Sequence, residues 1–196
     1  MKIAFFDFDG TITKSDTFVR FIRFFSGDTK FFLGLFFLLP KLIAYKFKII
    51  SNQFIKESII TYFFKGVSED IFREKALEFS LTKIDFLVRK DAMQKILWHR
   101  NNGHKIVVVT ASVDYWIKPW CDKNSIELVS TRLEIKNNIL TGLLLSKNCV
   151  GPEKVKRIKE KYELSDYEYI YAYGNSKGDD EMLKMASEGF YRIFKN

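Results

Sequence analysis

The sequence predicts an α/β fold, a parallel sheet core that carries a helical insertion directly after its first strand. Three observations lead there. A short apolar run, Lys2 to Phe6, opens the chain; residues 15–100 then carry helical patterns with no strand signal; and from Lys105 onward apolar, β-branched runs alternate with helical ones. Strands separated by helices imply parallel pairing with right-handed crossovers, so their carboxyl ends open on one edge, where ligands bind in such folds. At 196 residues, with 47% hydrophobic and 29% charged, the chain suits one compact domain, or a core with a modest inserted subdomain.

The first strand gives way at once to Asp7, Asp9 and Gly10. Ser15 and Asp16 then stand as N-caps for a helix through Phe25, which Gly27 ends. Phe31 to Leu39 is nine residues without a charge, and apolar character resumes after Pro40 and Lys41. Gly34, Pro40 and Lys41 interrupt this stretch, which is therefore not read as a membrane span of roughly 20 apolar residues. Two readings of residues 29–50 stand: a helical subdomain with its own hydrophobic core, or a hydrophobic helix pair resting on a membrane surface, with Lys41, Lys46 and Lys48 meeting anionic headgroups. Further helices are expected over Asn52–Phe64, Ser68–Phe79 and Ile84–Arg100, the last closed by Asn102-Gly103.

After this the elements alternate. Strands are expected at Lys105–Val109, Ile126–Ser130, Glu168–Tyr173 and Phe190–Phe194, and helices at Val113–Lys123, Pro152–Tyr162 and Asp179–Ser187. Leu133 to Leu145 holds two apolar segments around Asn137-Asn138, which reads as a hairpin.

The net charge of +8 suggests an acidic partner: a phosphorylated substrate, an anionic membrane surface or nucleic acid. No interleaving of aromatic and basic residues outside the insertion recommends nucleic acid. Cys121 and Cys149 lack metal or redox spacing, which predicts reduced thiols in a cytoplasmic protein, and the carboxylates at Asp7 and Asp9 interrupt any signal-peptide h-region. His99 and His104 are expected at a helix end and a turn rather than as metal ligands.

Four segments carry candidate chemistry. Side chains two apart on a strand point the same way, so Asp7 and Asp9 can converge at the strand exit, where their repulsion calls for a cation such as Mg²⁺. Gly10 allows a sharp turn or a close approach to a ligand. In KIVVVTAS, Thr110, Ala111 and Ser112 end a buried strand with a hydroxyl and exposed N–H groups at an expected helix start, which suits a phosphoryl oxygen. Lys154 lies in the basic helix GPEKVKRI, and YAYGNSKGDDEML places Asn175 and Asp179 after a strand. Taken singly these also fit an acidic strand exit, an N-cap, a solvated lysine and a turn; occurring in order, each at a strand exit or helix start, they are far more specific.

DFDGT, Thr110, Lys154 and the Asn175–Asp179 pair resemble the four motifs of the haloacid dehalogenase superfamily, its phosphoserine phosphatase-like branch, with bacterial relatives that include phosphatidylglycerophosphatase C as the nearer likeness. The resemblance implies a Rossmann-like core over 1–14 and 101–196 with a helical cap over 15–100. It implies a Mg²⁺-dependent phosphatase of phosphate monoesters, with Asp7 phosphorylated in turnover, Asp9 as acid and base, and Thr110 and Lys154 completing the catalytic set. Gly10, Thr110, Ala111, Ser112, Lys154 and Asp16 would meet substrate, and Asp7, Asp9, Asn175 and Asp179 the metal. The fourth motif commonly has an acid where Asn175 stands, which leaves open whether Asn175 or Asp179 is the direct ligand. The greasy cap implies an amphiphilic or phospholipid head-group phosphate and peripheral contact at the inner face of a membrane. Alternatives are phosphoserine or another small soluble ester, for which Asp16 stands where a glutamate is expected, and a non-catalytic basic module that binds membrane or nucleic acid.

Overall fold

The computed structural model of the chain describes residues 1–195. Seven strands form: β1 (Lys2–Phe6), β2 (Lys105–Val113), β3 (Glu127–Thr131), β4 (Leu133–Lys136), β5 (Ile139–Leu144), β6 (Tyr169–Gly174) and β7 (Glu188–Tyr191). Five of them make one sheet in the order β3-β2-β1-β6-β7, with every pairing parallel. The opening strand is thus the centre of the sheet, which explains why IAFF is apolar at successive positions rather than alternating. Ala4 and Phe6 face one side, and Ile3 and Phe5 the other. All the carboxyl ends share one edge, as the alternation of elements predicts.

Between β1 and β2 lie α1 (Thr17–Lys46), α2 (Asn52–Phe64), α3 (Glu69–Phe79), the single turn α4 (Asp85–Leu87) and α5 (Lys90–Asn101). Later come α6 (Asp114–Lys123), α7 (Pro152–Lys161) and α8 (Asp180–Met185). Gly27 does kink α1, with φ of 73°, but the helix resumes and runs through Gly34 and Pro40. Gly34 is there for contact rather than for breaking: a Cβ on it would lie 2.2 Å from the Phe63 ring, so its absence lets α1 and α2 approach. The helix expected over Ile84–Arg100 is interrupted because tertiary bonds override its pattern. Val88 bridges to Thr13, Lys14 N–H donates to Leu87 C=O at 2.8 Å, and Arg89 N–H donates to Ile12 C=O at 2.8 Å.

Two other boundaries move. β2 extends to Val113, with a register shift against β3 between Thr110 and Val113, so α6 starts only at Asp114. The last strand pairs from Glu188, opposite Tyr171, rather than starting at Phe190. The hairpin is as expected: Asn137 and Asn138 both have positive φ, 50° and 62°, as a two-residue turn matched to strand twist requires. It leaves the main sheet and lies on α2, where Thr61 Oγ1 donates to Gly142 C=O at 2.9 Å.

The insertion does not hold a core apart from that of the sheet. One buried cluster runs from Ala4 and Phe6 through Phe21, Phe64 and Phe72 to Trp116, with the Phe21 and Trp116 rings stacked at 4.5 Å. The second half of α1 joins this cluster through Phe31 and Leu38, while Phe32, Phe36 and Phe37 on its other side face solvent. No helix among the described residues is long and apolar enough to cross a membrane.

Candidate active site

A cavity of about 420 Å³ opens where the strand ends of the sheet meet α1 and α2. Asp7, Thr110, Lys154 and Asp179 line its sheet side; Phe18, Leu42, Tyr45, Ile55, Lys56 and Ile59 line the side made by the insertion. Every sequence-predicted site residue except Gly10 lines it, and Gly10 lies against the Asn175 that does.

Lys154 ties the sheet side together. Gly151 takes a positive φ of 60° and Pro152 starts α7, which puts Lys154 in the first turn of that helix with its side chain running inward. The ammonium has three protons and finds three acceptors: Asp7 Oδ1 at 2.6 Å, Asp179 Oδ1 at 2.7 Å and Val109 C=O at 2.8 Å. Only 1% of the residue is exposed. Burial alone would push its pKa down, but the two carboxylates outweigh that and hold it above the usual lysine value. The turn in YGNSKGDD after β6 is equally ordered. Asp179 Oδ2 accepts from Asn175 N–H at 3.1 Å, Ser176 N–H at 2.9 Å and Ser176 Oγ at 2.9 Å. Burial opposes ionisation of Asp179, yet Lys154 and these donors keep its pKa below the ordinary carboxylate value.

Asp7 sits between these groups. Its Oδ2 accepts from Thr11 Oγ1 at 3.0 Å, and burial pushes its pKa up to about 7, with Lys154 opposing the rise and Asp179 adding to it. Such crowding is what a divalent cation would relieve. The donors at this point are all hard oxygens, the carboxylates of Asp7 and Asp179 and the amide of Asn175, and neither His nor Cys lines the cavity. Mg²⁺, which binds through one or two carboxylates and keeps several waters, fits them.

Asp9 departs from the expected convergence. The chain leaves the strand at Phe6 and turns through Gly10, with φ of 82°, so Asp9 points toward the insertion. Its Oδ1 accepts from Thr17 N–H at 2.6 Å and its Oδ2 from Ser112 Oγ at 2.6 Å. These two bonds hold the Asp9 carboxylate between α1 and β2. Burial and then the neighbouring Asp16 raise its pKa, against the hydrogen bonds from Ser112 and Thr17. Gly10 is required here: a Cβ on it would lie 2.0 Å from Asn175 Nδ2.

A second correction concerns the strand end at Thr110. No helix starts there, and Ser112 N–H is already taken by Thr110 Oγ1 at 2.9 Å. What faces the cavity is a bulged strand end with two hydroxyls, not a helix N-terminus. Asp16 caps α1 by accepting from Val19 N–H at 3.1 Å and stands at the cavity rim. His99 and His104 lie away from the cavity, their rings 2.8 Å apart at Nδ1, with His99 Nε2 also 2.8 Å from the Tyr173 hydroxyl.

Sequence reasoning missed Lys56. This residue of α2 is 8% exposed, and its ammonium donates to Ala111 C=O and, at 3.0 Å, to Asn148 Oδ1. The Phe18 ring lies 5.2 Å away. Burial lowers its pKa to about 8, while Asp9 and Asp16 pull the other way. The available signal was its spacing: Lys56 falls on the same helical stripe as Ile59, Ile60 and Phe63, where a solvated lysine has no place.

Comparison with known proteins agrees with this geometry. A model of the haloacid dehalogenase-like hydrolase family matches residues 4–184. Protein CicA of Caulobacter vibrioides is 35% identical over 192 residues, covering 97% of this chain and 85% of that protein. A Bordetella pertussis protein of unknown function superposes with a TM-score of 0.83 at 19% identity, over 95% of this chain and 87% of the other. A phosphoserine phosphatase solved as a phospho-aspartyl intermediate analogue superposes with a TM-score of 0.62 at 20% identity, over 97% and 84% of the two chains. These last two likenesses establish the fold.

Proposed function

The chain belongs to the haloacid dehalogenase-like hydrolase family, and from that premise we propose that it is a Mg²⁺-dependent phosphatase of phosphate monoesters acting through an aspartyl-phosphate. The observation that carries this reading is the buried ammonium of Lys154 bound to Asp7 and Asp179 at once, on the floor of a cavity. In this reading residues 1–14 and 101–196 are the hydrolase core and residues 15–100 the cap. A similarly folded phosphoserine phosphatase captured as a phospho-aspartyl analogue is in keeping with it.

Asp7, aimed by Thr11 and Lys154, attacks phosphorus, and the ester oxygen leaves with a proton from Asp9. A water, deprotonated by Asp9, then attacks the phosphorus of the aspartyl-phosphate; Asp7 returns as a carboxylate and orthophosphate is released. Lys154 and the hydroxyls of Thr110 and Ser112 meet the equatorial oxygens, with the Ala111 segment closing the backbone beside them. Asp7, Asp179 and Asn175 would hold the ion. When bound, Mg²⁺ offsets the crowded carboxylates and withdraws charge from the phosphoryl group.

The opposite side of the cavity bears on the substrate. Leu42, Tyr45, Ile55 and Ile59 make an apolar wall that ends at Lys56 and Asp16. That combination suits an amphiphilic monoester, a phospholipid head-group phosphate, whose polar part meets Lys56 and whose chain lies along the wall. The sequence resemblance to phosphatidylglycerophosphatase C is in keeping with this reading. Phosphate release with Mg²⁺ across soluble and lipid monoesters tests it. Metal-dependent release with preference for the lipid esters is the expected result; no release from any monoester would sink the phosphatase reading, and equal rates on short soluble esters the amphiphilic one.

A further inference from the structure

We propose that the outward face of the second half of α1 docks on an anionic bilayer and holds the mouth of the cavity at the headgroup level. Among the described residues, ten of the 24 exposed large hydrophobic side chains fall between Phe32 and Ile49. That is concentration, not the scatter of single apolar residues found on any surface. At 3.6 residues per turn, Phe32, Phe36, Leu39 and Ile43 share one stripe, turned away from the seam of Phe31, Gly34 and Leu38 that packs on α2.

Charge decides what covers this face. From Thr29 to Lys56 the chain has no Asp or Glu, and Lys46 edges the stripe with Lys48 just beyond, while Lys30 and Lys41 turn toward α2, donating to Phe63 C=O at 3.4 Å and Ser58 Oγ at 3.2 Å. Lys48 N–H donates to Tyr45 C=O at 2.9 Å, but neither the Lys46 nor the Lys48 ammonium has a hydrogen bond or ion pair among the described residues. A second copy pressed against the same face would set lysine against lysine with no carboxylate to meet either. Anionic headgroups complement such a rim, since lysine stems reach outward to them while the rings sink below. No helix among the described residues is long and apolar enough to cross a bilayer, so the docking proposed is one at the surface. Leu42 and Tyr45 on this same helix line the cavity, so docking brings its mouth to the lipid.

The docking depends on the phosphatase reading for its purpose only, and the two fail separately. The test is co-sedimentation of the full chain with phosphatidylcholine vesicles, with and without about one third phosphatidylglycerol, alongside hydrolysis of a soluble aryl phosphate. The wild type and a catalytically dead Asp7→Asn chain should both bind the anionic vesicles, less tightly as salt rises. Phe32→Asp with Phe36→Asp should lower binding at least tenfold and leave soluble-ester turnover unchanged. Lys46→Gln with Lys48→Gln should lower binding roughly fivefold per lysine, on anionic vesicles alone. The proposal is overturned if the wild type ignores the vesicles, if the aspartates do not weaken binding, or if the chain is a dimer that Phe36→Asp dissociates without any vesicle binding.

Discussion

Two lysines enter one cavity from opposite walls, and different partners bury them. Lys154 comes from the sheet side and spends all three protons on Asp7, Asp179 and a carbonyl, so burial is matched by charge and its pKa is raised. Lys56 comes from the insertion and meets only neutral acceptors, Ala111 C=O and Asn148 Oδ1, beside an aromatic face, so burial wins and its pKa falls to about 8. A cation bound by carboxylates is a fixed part of the machinery. One held by dipoles retains an unmet appetite for an anion, and in the proposed function that separates the wall that would do chemistry from the wall that would choose the substrate.

The largest effect that could break this division is at the sheet wall. Asp7→Asn should lower turnover on the order of 10⁴-fold or more while circular dichroism and melting stay native-like, because the amide keeps the shape and loses the nucleophile. Metal-dependent turnover at the wild-type rate would leave the assignment of Asp7 without support. Next is Lys154→Met, which strands two buried carboxylates. A loss of about 3–5 kcal/mol of unfolding free energy is expected in denaturant titration, with part of it regained on adding Mg²⁺. The same change at Lys56 sharpens the contrast: Lys56→Met should leave stability within about 1 kcal/mol, since a methionine fills the stem's volume and removes a desolvated charge. Its expected effect is on KM for anionic esters, about 10–100-fold, the range of a charged hydrogen bond.

The same contrast explains what the sequence disclosed. Asp7, Thr110, Lys154 and Asp179 each stand at a strand exit or in the first turn of a helix, and a parallel sheet brings all such places to one edge. Topology and motif order therefore located the sheet wall without any knowledge of distances. The insertion has no such rule. Lys56 resembles any lysine in a helix until the hairpin and the Asn148 loop close over it, contacts that span 92 residues in the case of Asn148. Gly34 and Pro40 misled for a related reason: both are helix breakers by local preference. The tight approach to Phe63 wants the glycine, and Pro40 lies on a solvent-facing stretch where the carbonyl it leaves free can be hydrated. Asp9 was placed with Asp7 by strand alternation, which held only as far as Phe6.

The smallest effect separates the two lysines by pH. Lys154, raised by its carboxylates, keeps its proton across the working range, whereas Lys56 loses its own near pH 8. Anion recognition that depends on the Lys56 ammonium should therefore weaken above about pH 8, seen as a rising KM with little change in kcat. Stability must move the opposite way. Between about 8 and the unfolded lysine value of 10.5 the unfolded chain binds more protons at this position, so the contribution of Lys56 to unfolding free energy rises with pH, by at most about 1.4 kcal/mol per unit. Lys56→Arg, which cannot deprotonate in this range, should flatten both limbs. If instead KM and stability rise together in the wild type and in Lys56→Arg alike, the titrating group lies elsewhere and the insertion wall has no cation of its own for the substrate.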